Sequence, residues 1–272
     1  MSVRGSIAFA GVSDAGRVRA HNEDSIGIDE GLGIALLADG MGGHNAGEVA
    51  SALAVEVVMR ELRRRLPHPE GGGDWAGFAP ATRVLAEAVH KANAAIHEAA
   101  AARPQCRGMG TTLVGLLFHD DRASIAHVGD SRVYRLRAGV LEQLTTDHTL
   151  VQELVARGFY TPEEAATALN RNVITRALGT EPQVAVDLQE EAVRPGDLFL
   201  LCSDGLSDMM DDGEIAAELA RADSPLEARA RRLVALANAH GGRDNISVIL
   251  AEVRRPFPAR RSWWRRLVTW FD

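Results

Sequence analysis

TTLVGLLFHDDRASIAHVGDSRVYRLRAGVLEQLT, residues 111–145, holds four short β-type runs: TTLVGLLF, ASIAHVG, RVYRLR and VLEQLT. The turns HDDR and RAG separate successive runs, so the segment reads as an antiparallel meander. Upstream, IAFAGV, SIGID and LGIALLADG read as three more strands within residues 1–40, each bounded by Gly, Asp or Glu.

Helical spacing appears at residues 47–66, where Val49, Leu53, Val57, Val58, Leu62 and Leu66 form one expected buried stripe that Pro67 ends. After the Gly- and Pro-rich loop PHPEGGGDWAGFAP, Pro80 opens an Ala-rich helix to residue 102 with Leu85, Val89 and Ile96 inward. Residues 147–179 turn helical again, with a capping box at Thr161-Pro162-Glu163-Glu164 and a stop at Gly179. VAVDLQEEAV, a turn at residues 195–197 and LFLLCSDG restore the sheet. A helix capped at Ser224 then runs to His240, and NISVILAEV closes the order. This succession predicts an α+β fold, a four-layer α/β/β/α sandwich of two antiparallel sheets flanked by helices, and it does not suit alternating β-α units.

At 272 residues, 46% hydrophobic and 25% charged, the chain has the composition of a soluble protein with a full core. A net charge of −7 argues against a nucleic-acid binder, which needs a basic footprint. Cys106 and Cys202 stand far apart with no CxxC spacing, so neither a disulfide framework nor a cysteine zinc site is expected. The apolar runs fall well short of the roughly 20 residues of a membrane span, and the N-terminus lacks a secretory apolar stretch; a cytoplasmic location is the expectation.

The informative feature is four acidic turns: Asn22-Glu23-Asp24, Ala38-Asp39-Gly40, Ser203-Asp204-Gly205 and Arg243-Asp244-Asn245. Each abuts a strand-like run, and strand termini lie at sheet edges where carboxylates can converge. Converging carboxylates push one another's pKa upward unless a cation joins them. Oxygen donors without His or Cys pairs favour Mg²⁺ or Mn²⁺ over zinc. Glycine at position 40 leaves the backbone carbonyl open to coordinate. A single Asp-Gly pair is more often a hairpin end than a ligand; four together, each beside an apolar run, are harder to attribute to turn chemistry.

The blocks GRVRAHNED (16–24), ADGMGGHNAGEVAS (38–51), GMGTT (108–112), VGDSRVY (128–134), LCSDGL (201–206) and GRDNISV (242–248) resemble, in this order, the metal-dependent protein phosphatases of the 2C type, especially short bacterial single-domain members. The resemblance implies a catalytic domain over residues 1–253. It implies that Asp39 bridges two Mn²⁺ or Mg²⁺ ions, with the Gly40 carbonyl on one and Asp204 and Asp244 on the other. Glu23 and Asp24 would hold metal-bound waters, Arg19 would clamp the substrate phosphate, and Asp130 would serve a third, weaker metal site. His44 falls where bacterial members carry a proposed general acid, Met41 occupies the place of the acid of animal enzymes, and a plain surface histidine is the competing reading. Residues 147–179 correspond to the family's mobile flap. Ala168-Leu169 replaces the His-Pro of many relatives, and Arg171 and Arg176 are candidates for phosphopeptide contact.

The expected reaction is hydrolysis of phosphoserine and phosphothreonine in proteins by a water activated between two ions about 3.5 to 4 Å apart. The expected partners are phosphorylated proteins and a serine/threonine kinase, with the chain a monomer. Two other readings are an inactive phosphoprotein-binding module and a metallohydrolase of nucleotides or small phosphates. The tail, residues 254–272 (RRPFPARRSWWRRLVTWFD), is basic and tryptophan-rich. One reading is a weak membrane-surface anchor or docking peptide. The other is a cover that packs back on the body or stays unstructured.

Overall fold

The computed structural model describes residues 3–43, 46–69, 75–161, 164, 165, 168, 170 and 172–258. Its elements in chain order are β1 (Ile7–Asp14), β2 (Asp24–Asp29), β3 (Ile34–Met41), α1 (Ala46–Arg65), α2 (Pro80–Ala102), β4 (Gly110–Thr111), β5 (Leu113–His119), β6 (Arg122–Val128), β7 (Arg132–Arg137) and β8 (Val140–Gln143). They continue with α3 (Leu150–Ala156), β9 (Asp187–Ala192), β10 (Leu198–Cys202), α4 (Asp204–Ser207), α5 (Asp212–Leu219), α6 (Leu226–Ala239) and β11 (Ile246–Val253).

The strands form two sheets in the orders β1-β11-β10-β7-β8 and β2-β3-β5-β6-β9, with β4 pairing β3, and every described pairing is antiparallel. The turn between β5 and β6 is Asp120-Asp121, both at positive φ, between the paired residues His119 and Arg122. Ala138-Gly139 does the same between β7 and β8. Two left-handed residues in a row match the twist of a tight hairpin, which is why these links stay so short.

Alternation along the strands builds three cores. Ile34, Leu36 and Ala38 of β3 face α1 and α2, whereas Ala35 and Leu37 face the other sheet. On β10, Leu198, Leu200 and Cys202 meet α6, and Phe199 and Leu201 point between the sheets. Both sheets are thus covered on both faces, giving the expected layers of helix, sheet, sheet and helix.

Two helices differ in detail from expectation. The buried face of α1 runs through Ala46, Ala50, Ala54, Val57, Val58 and Leu62, while Val49 is 37% exposed and Leu53 only partly covered. Small residues let this helix lie close on its sheet, and the larger Val49 falls off the contact line. At α6 the N-cap is Pro225 and no side chain caps it, so Ser224 does not do so. The box at Thr161 does form: Glu164 N–H donates to Thr161 Oγ1 (3.2 Å) and Thr161 N–H to Glu164 Oε2 (2.8 Å).

Beyond β11 the chain stays on the body through Phe257. Arg254 N–H donates to the Ser6 carbonyl (2.7 Å), Phe257 N–H donates to Asp121 Oδ1 (2.6 Å), and the Phe257 ring packs edge-on to Phe118. The first residues of the basic tail therefore belong to the domain's surface. Residues 259–272 lie outside the described residues. Among the described residues no helix is long and apolar enough to cross a membrane.

Candidate active site

The acidic turns meet where β2, β3, β10 and β11 begin or end. Asp24 and Asp39 are directly paired across β2 and β3. Ser203, the residue after β10, donates from Oγ to Asp24 Oδ2 (2.9 Å). Asn245 ties the remaining turns together. Its Oδ1 accepts from Glu23 N–H (2.8 Å), and its Nδ2 donates to the carbonyls of Ala15 (3.0 Å) and His21 (2.9 Å). Thr112 Oγ1 accepts from Asp39 N–H (3.0 Å), and Thr112 N–H donates to the Asp39 carbonyl (2.9 Å). The backbone of Asp39 is held on both sides, which leaves its carboxylate to the site.

Gly40 is required by close packing. A Cβ there would lie 2.1 Å from the Gly47 carbonyl oxygen and 2.6 Å from the Glu23 carbonyl oxygen. Only glycine lets the first turn of α1 and the Glu23 backbone converge on β3. Gly47, in the first turn of α1, likewise leaves room for the Glu23 carboxylate, whose placement at a helix N-terminus is favourable.

Burial raises Glu23, Asp24, Asp39, Asp130 and Asp204. Asp39 and Asp204 stand well above the usual carboxylate range, first because they are buried and then because of acidic neighbours: Asp24, Asp204, Asp130 and Asp244 for Asp39, and Asp130, Asp244, Asp208 and Asp24 for Asp204. Asp24 is pushed up to about 6 by burial, against the pull of the Ser247 and Ser203 hydroxyls. Asp130 is pushed up to about 6 by burial and by Asp147. Glu23 is raised by burial, and Arg19 opposes the rise. One oxygen each of Asp24, Asp130 and Asp204 is buried with no hydrogen-bond partner. Buried acceptors are ordinarily satisfied, and all-oxygen donors with mutual repulsion fit a hard divalent cation.

Among the described residues, the one set of three candidate ligand atoms within 4.8 Å of each other is His127, His148 and Asp187, not the acidic cluster. Asp130 and Asp204 also line a cavity of about 470 Å³ with Arg132, Asp147, Asn172 and Asp208.

Arg19 is half-exposed beside the cluster, and its Nη2 donates to Asp244 Oδ2 at 2.6 Å. Asp244 Oδ1 accepts from Asn245 N–H (2.9 Å). His44 and Arg171 lie outside the described residues. Arg176, a candidate for phosphopeptide contact, donates from Nη1 to Asp187 Oδ1 (2.7 Å). Ser203, Thr112, Asn245 and Asp208 complete the arrangement although no site role was expected of them. Their quoted blocks, LCSDGL, GMGTT and GRDNISV, and the second Asp of SDGLSD are the signals that contain them.

Residues 15–247 match the family described as Protein phosphatase 2C. The chain belongs to the protein phosphatase 2C family. It is 43% identical over 247 residues to the serine/threonine protein phosphatase PstP of Mycobacterium tuberculosis, covering 91% of this chain and 45% of that protein, so it spans about half the length of this relative. It is 38% identical to the serine/threonine phosphatase stp of Listeria innocua, covering 88% of this chain and 93% of that protein. Among solved structures, the PstP catalytic domain in complex with two manganese ions superposes with a TM-score of 0.76 at 43% identity, covering 92% of this chain and 99% of that one. A protein phosphatase 2C assignment fits both the two sheets and the ring of carboxylates at their ends.

Proposed function

We propose that the chain is a metal-dependent phosphatase that hydrolyses phosphoserine and phosphothreonine in proteins. The observation that carries this reading is the set of unpaired, buried oxygens on Asp24, Asp130 and Asp204, three acids raised by burial and by acidic neighbours. The manganese in the PstP structure and the names of the relatives support it.

Asp39 would join two Mn²⁺ or Mg²⁺ ions, with the Gly40 carbonyl on one and Asp204 and Asp244 on the other. Glu23 and Asp24 would hold the surrounding waters, and Asp130 would serve a third, weaker site. When bound, divalent ions lower the pKa of water and offset the charge of a transferring phosphoryl group.

The chain's own residues set the geometry. Ser203 and Thr112 fix Asp24 and Asp39, so the carboxylates are oriented before substrate arrives. Arg19 supplies a planar fork of donors for phosphate oxygens, and its bond to Asp244 keeps that fork at the rim of the site. Cys202 is no competitor as a nucleophile, because burial pushes its thiol up to about 12. The protein side then needs only to position, and water is the attacking group. Phosphoproteins made by a serine/threonine kinase are the substrates in this reading.

Initial rates on a phosphothreonine peptide and on nucleotides, each with Mn²⁺ and with chelator, test it. Turnover of the peptide that needs Mn²⁺ and exceeds nucleotide turnover is expected. Nucleotide turnover far above peptide turnover would replace the proposal with a small-molecule phosphate hydrolase.

A further inference from the structure

His148 grips Gly129, the residue before Asp130, at two points. Gly129 N–H donates to His148 Nδ1 (3.0 Å), and His148 N–H donates to the Gly129 carbonyl (2.8 Å). Accepting at Nδ1 fixes the tautomer: the proton sits on Nε2, which donates to Asp187 Oδ2 (3.1 Å). The other oxygen of Asp187 accepts from Arg176. Thr175 N–H donates to the His148 carbonyl (2.8 Å), so the end of the segment 147–179 is attached to the same residue.

The grip is buried and has little slack. His148 is a buried side chain, and the His127 ring lies against it with centroids 4.5 Å apart. Gly129 has φ +108°, and a Cβ on it would stand 2.6 Å from Thr112, the residue that holds Asp39. The turn carrying Asp130 is therefore wedged between Thr112 and His148.

His127, His148 and Asp187 also bring three candidate ligand atoms together, and His127 Nε2 is buried without a hydrogen-bond partner. A metal centre there conflicts with the tautomer. Nδ1 of His148 faces an N–H donor and Nε2 carries the proton, so this ring offers no free lone pair.

We propose that His148, oriented by Asp187, is a positioning residue for Asp130. It fixes the angle at which the Asp130 carboxylate meets the weak third cation site, and Arg176, toward the far end of the segment 147–179, holds the other oxygen of Asp187. The inference rests on the role of Asp130 given under Proposed function. Partners that orient a ligand from outside are worth about 10- to 100-fold in metal affinity.

Calorimetric titration of the metal-stripped full chain with Mn²⁺ decides, alongside thermal unfolding in chelator. Asp130→Ala should abolish the weakest binding phase. His148→Leu and Asp187→Ala should weaken that phase about tenfold or more and leave the tighter phases unchanged. His148→Asn, which keeps an acceptor near the Nδ1 position, should recover most of the loss. Should His148→Leu fail to fold, Asp187→Ala carries the decision, since Asp187 is 54% exposed. Wild-type weak-phase affinity in His148→Leu or Asp187→Ala, with that phase absent in Asp130→Ala, overturns the positioning role alone. A weak phase untouched by Asp130→Ala overturns the assignment of Asp130, and the proposal falls with it. A metal phase lost on His127→Ala would show that the histidines bind a cation after all.

Discussion

Ser203 Oγ donates to Asp24 Oδ2 at 2.9 Å while accepting from Ser247 N–H at 3.0 Å, so one hydroxyl joins the end of β10 in one sheet to the start of β2 in the other. Asp24 Oδ1 has no partner. The hydroxyl thus holds a buried acid by one oxygen and leaves the other to the site. Removing it in Ser203→Ala takes the Ser203 donor from Asp24 Oδ2 and the acceptor from Ser247 N–H, and should lower metal-free stability by about 1 to 3 kcal/mol. Denaturant unfolding in chelator checks this, and an unchanged midpoint would remove the bond from the account of the site.

Asp204→Asn should nearly abolish turnover. In the metal-free protein it should be neutral or stabilising, because one like charge leaves a repulsive, buried group. Phosphopeptide turnover, Mn²⁺ affinity and the unfolding midpoint in chelator are measured on the same preparation. A folded variant with wild-type turnover would exclude Asp204 from the chemistry.

That gain in stability should depend on pH. The folded pKa of Asp204 lies well above its ordinary 3.8, so between those values the folded protein holds a proton that the unfolded chain has lost. Stability from this group falls as pH rises through the interval, and asparagine does not titrate. The advantage of Asp204→Asn in chelator should be larger at pH 7.5 than at pH 5. His119, His127 and His148, which burial holds below their ordinary value, act in the opposite direction. They are common to both proteins and cancel in the difference. An equal advantage at both pH values would contradict the raised pKa.

The strands and the acidic turns were legible because their signals are local: short apolar runs bounded by turn residues, and Asp at strand ends. β3 and β10 carry both signals within eight or nine residues, so their layers and carboxylates could be read together. The second half of the α1 face was legible, with Val57, Val58, Leu62 and Leu66 buried as expected, but its first half was not, since alanines at positions 46, 50 and 54 outrank Val49 only once a sheet is there to pack against. Residues 206–223 carried no expected element, yet α5 lies there with a reciprocal capping box of Asp211 and Glu214. That box is visible in the sequence as DDGE. Asn245, Thr112 and Ser203 owe their importance to partners 73 to 230 positions away, and no local pattern reports such contacts.

The basic tail invites a direct test of the anchor reading. Because Phe257 packs on Phe118 and its N–H is held by Asp121, the truncation should follow Pro258. The full chain should co-sediment with anionic vesicles at low salt, and the shortened chain should remain in the supernatant, with phosphopeptide turnover equal in both. Equal sedimentation of the two would discard the anchor.

The most direct test is Mn²⁺-dependent hydrolysis of a phosphothreonine peptide by the wild type and by Asp39→Asn, the acid paired with Asp24 at the centre of the cluster. The wild type should be inactive in chelator and restored by Mn²⁺, and folded Asp39→Asn should lose at least about a hundredfold in turnover at the same Mn²⁺ concentration. Peptide hydrolysis that persists in chelator, or wild-type turnover in Asp39→Asn, would contradict a carboxylate-held metal centre.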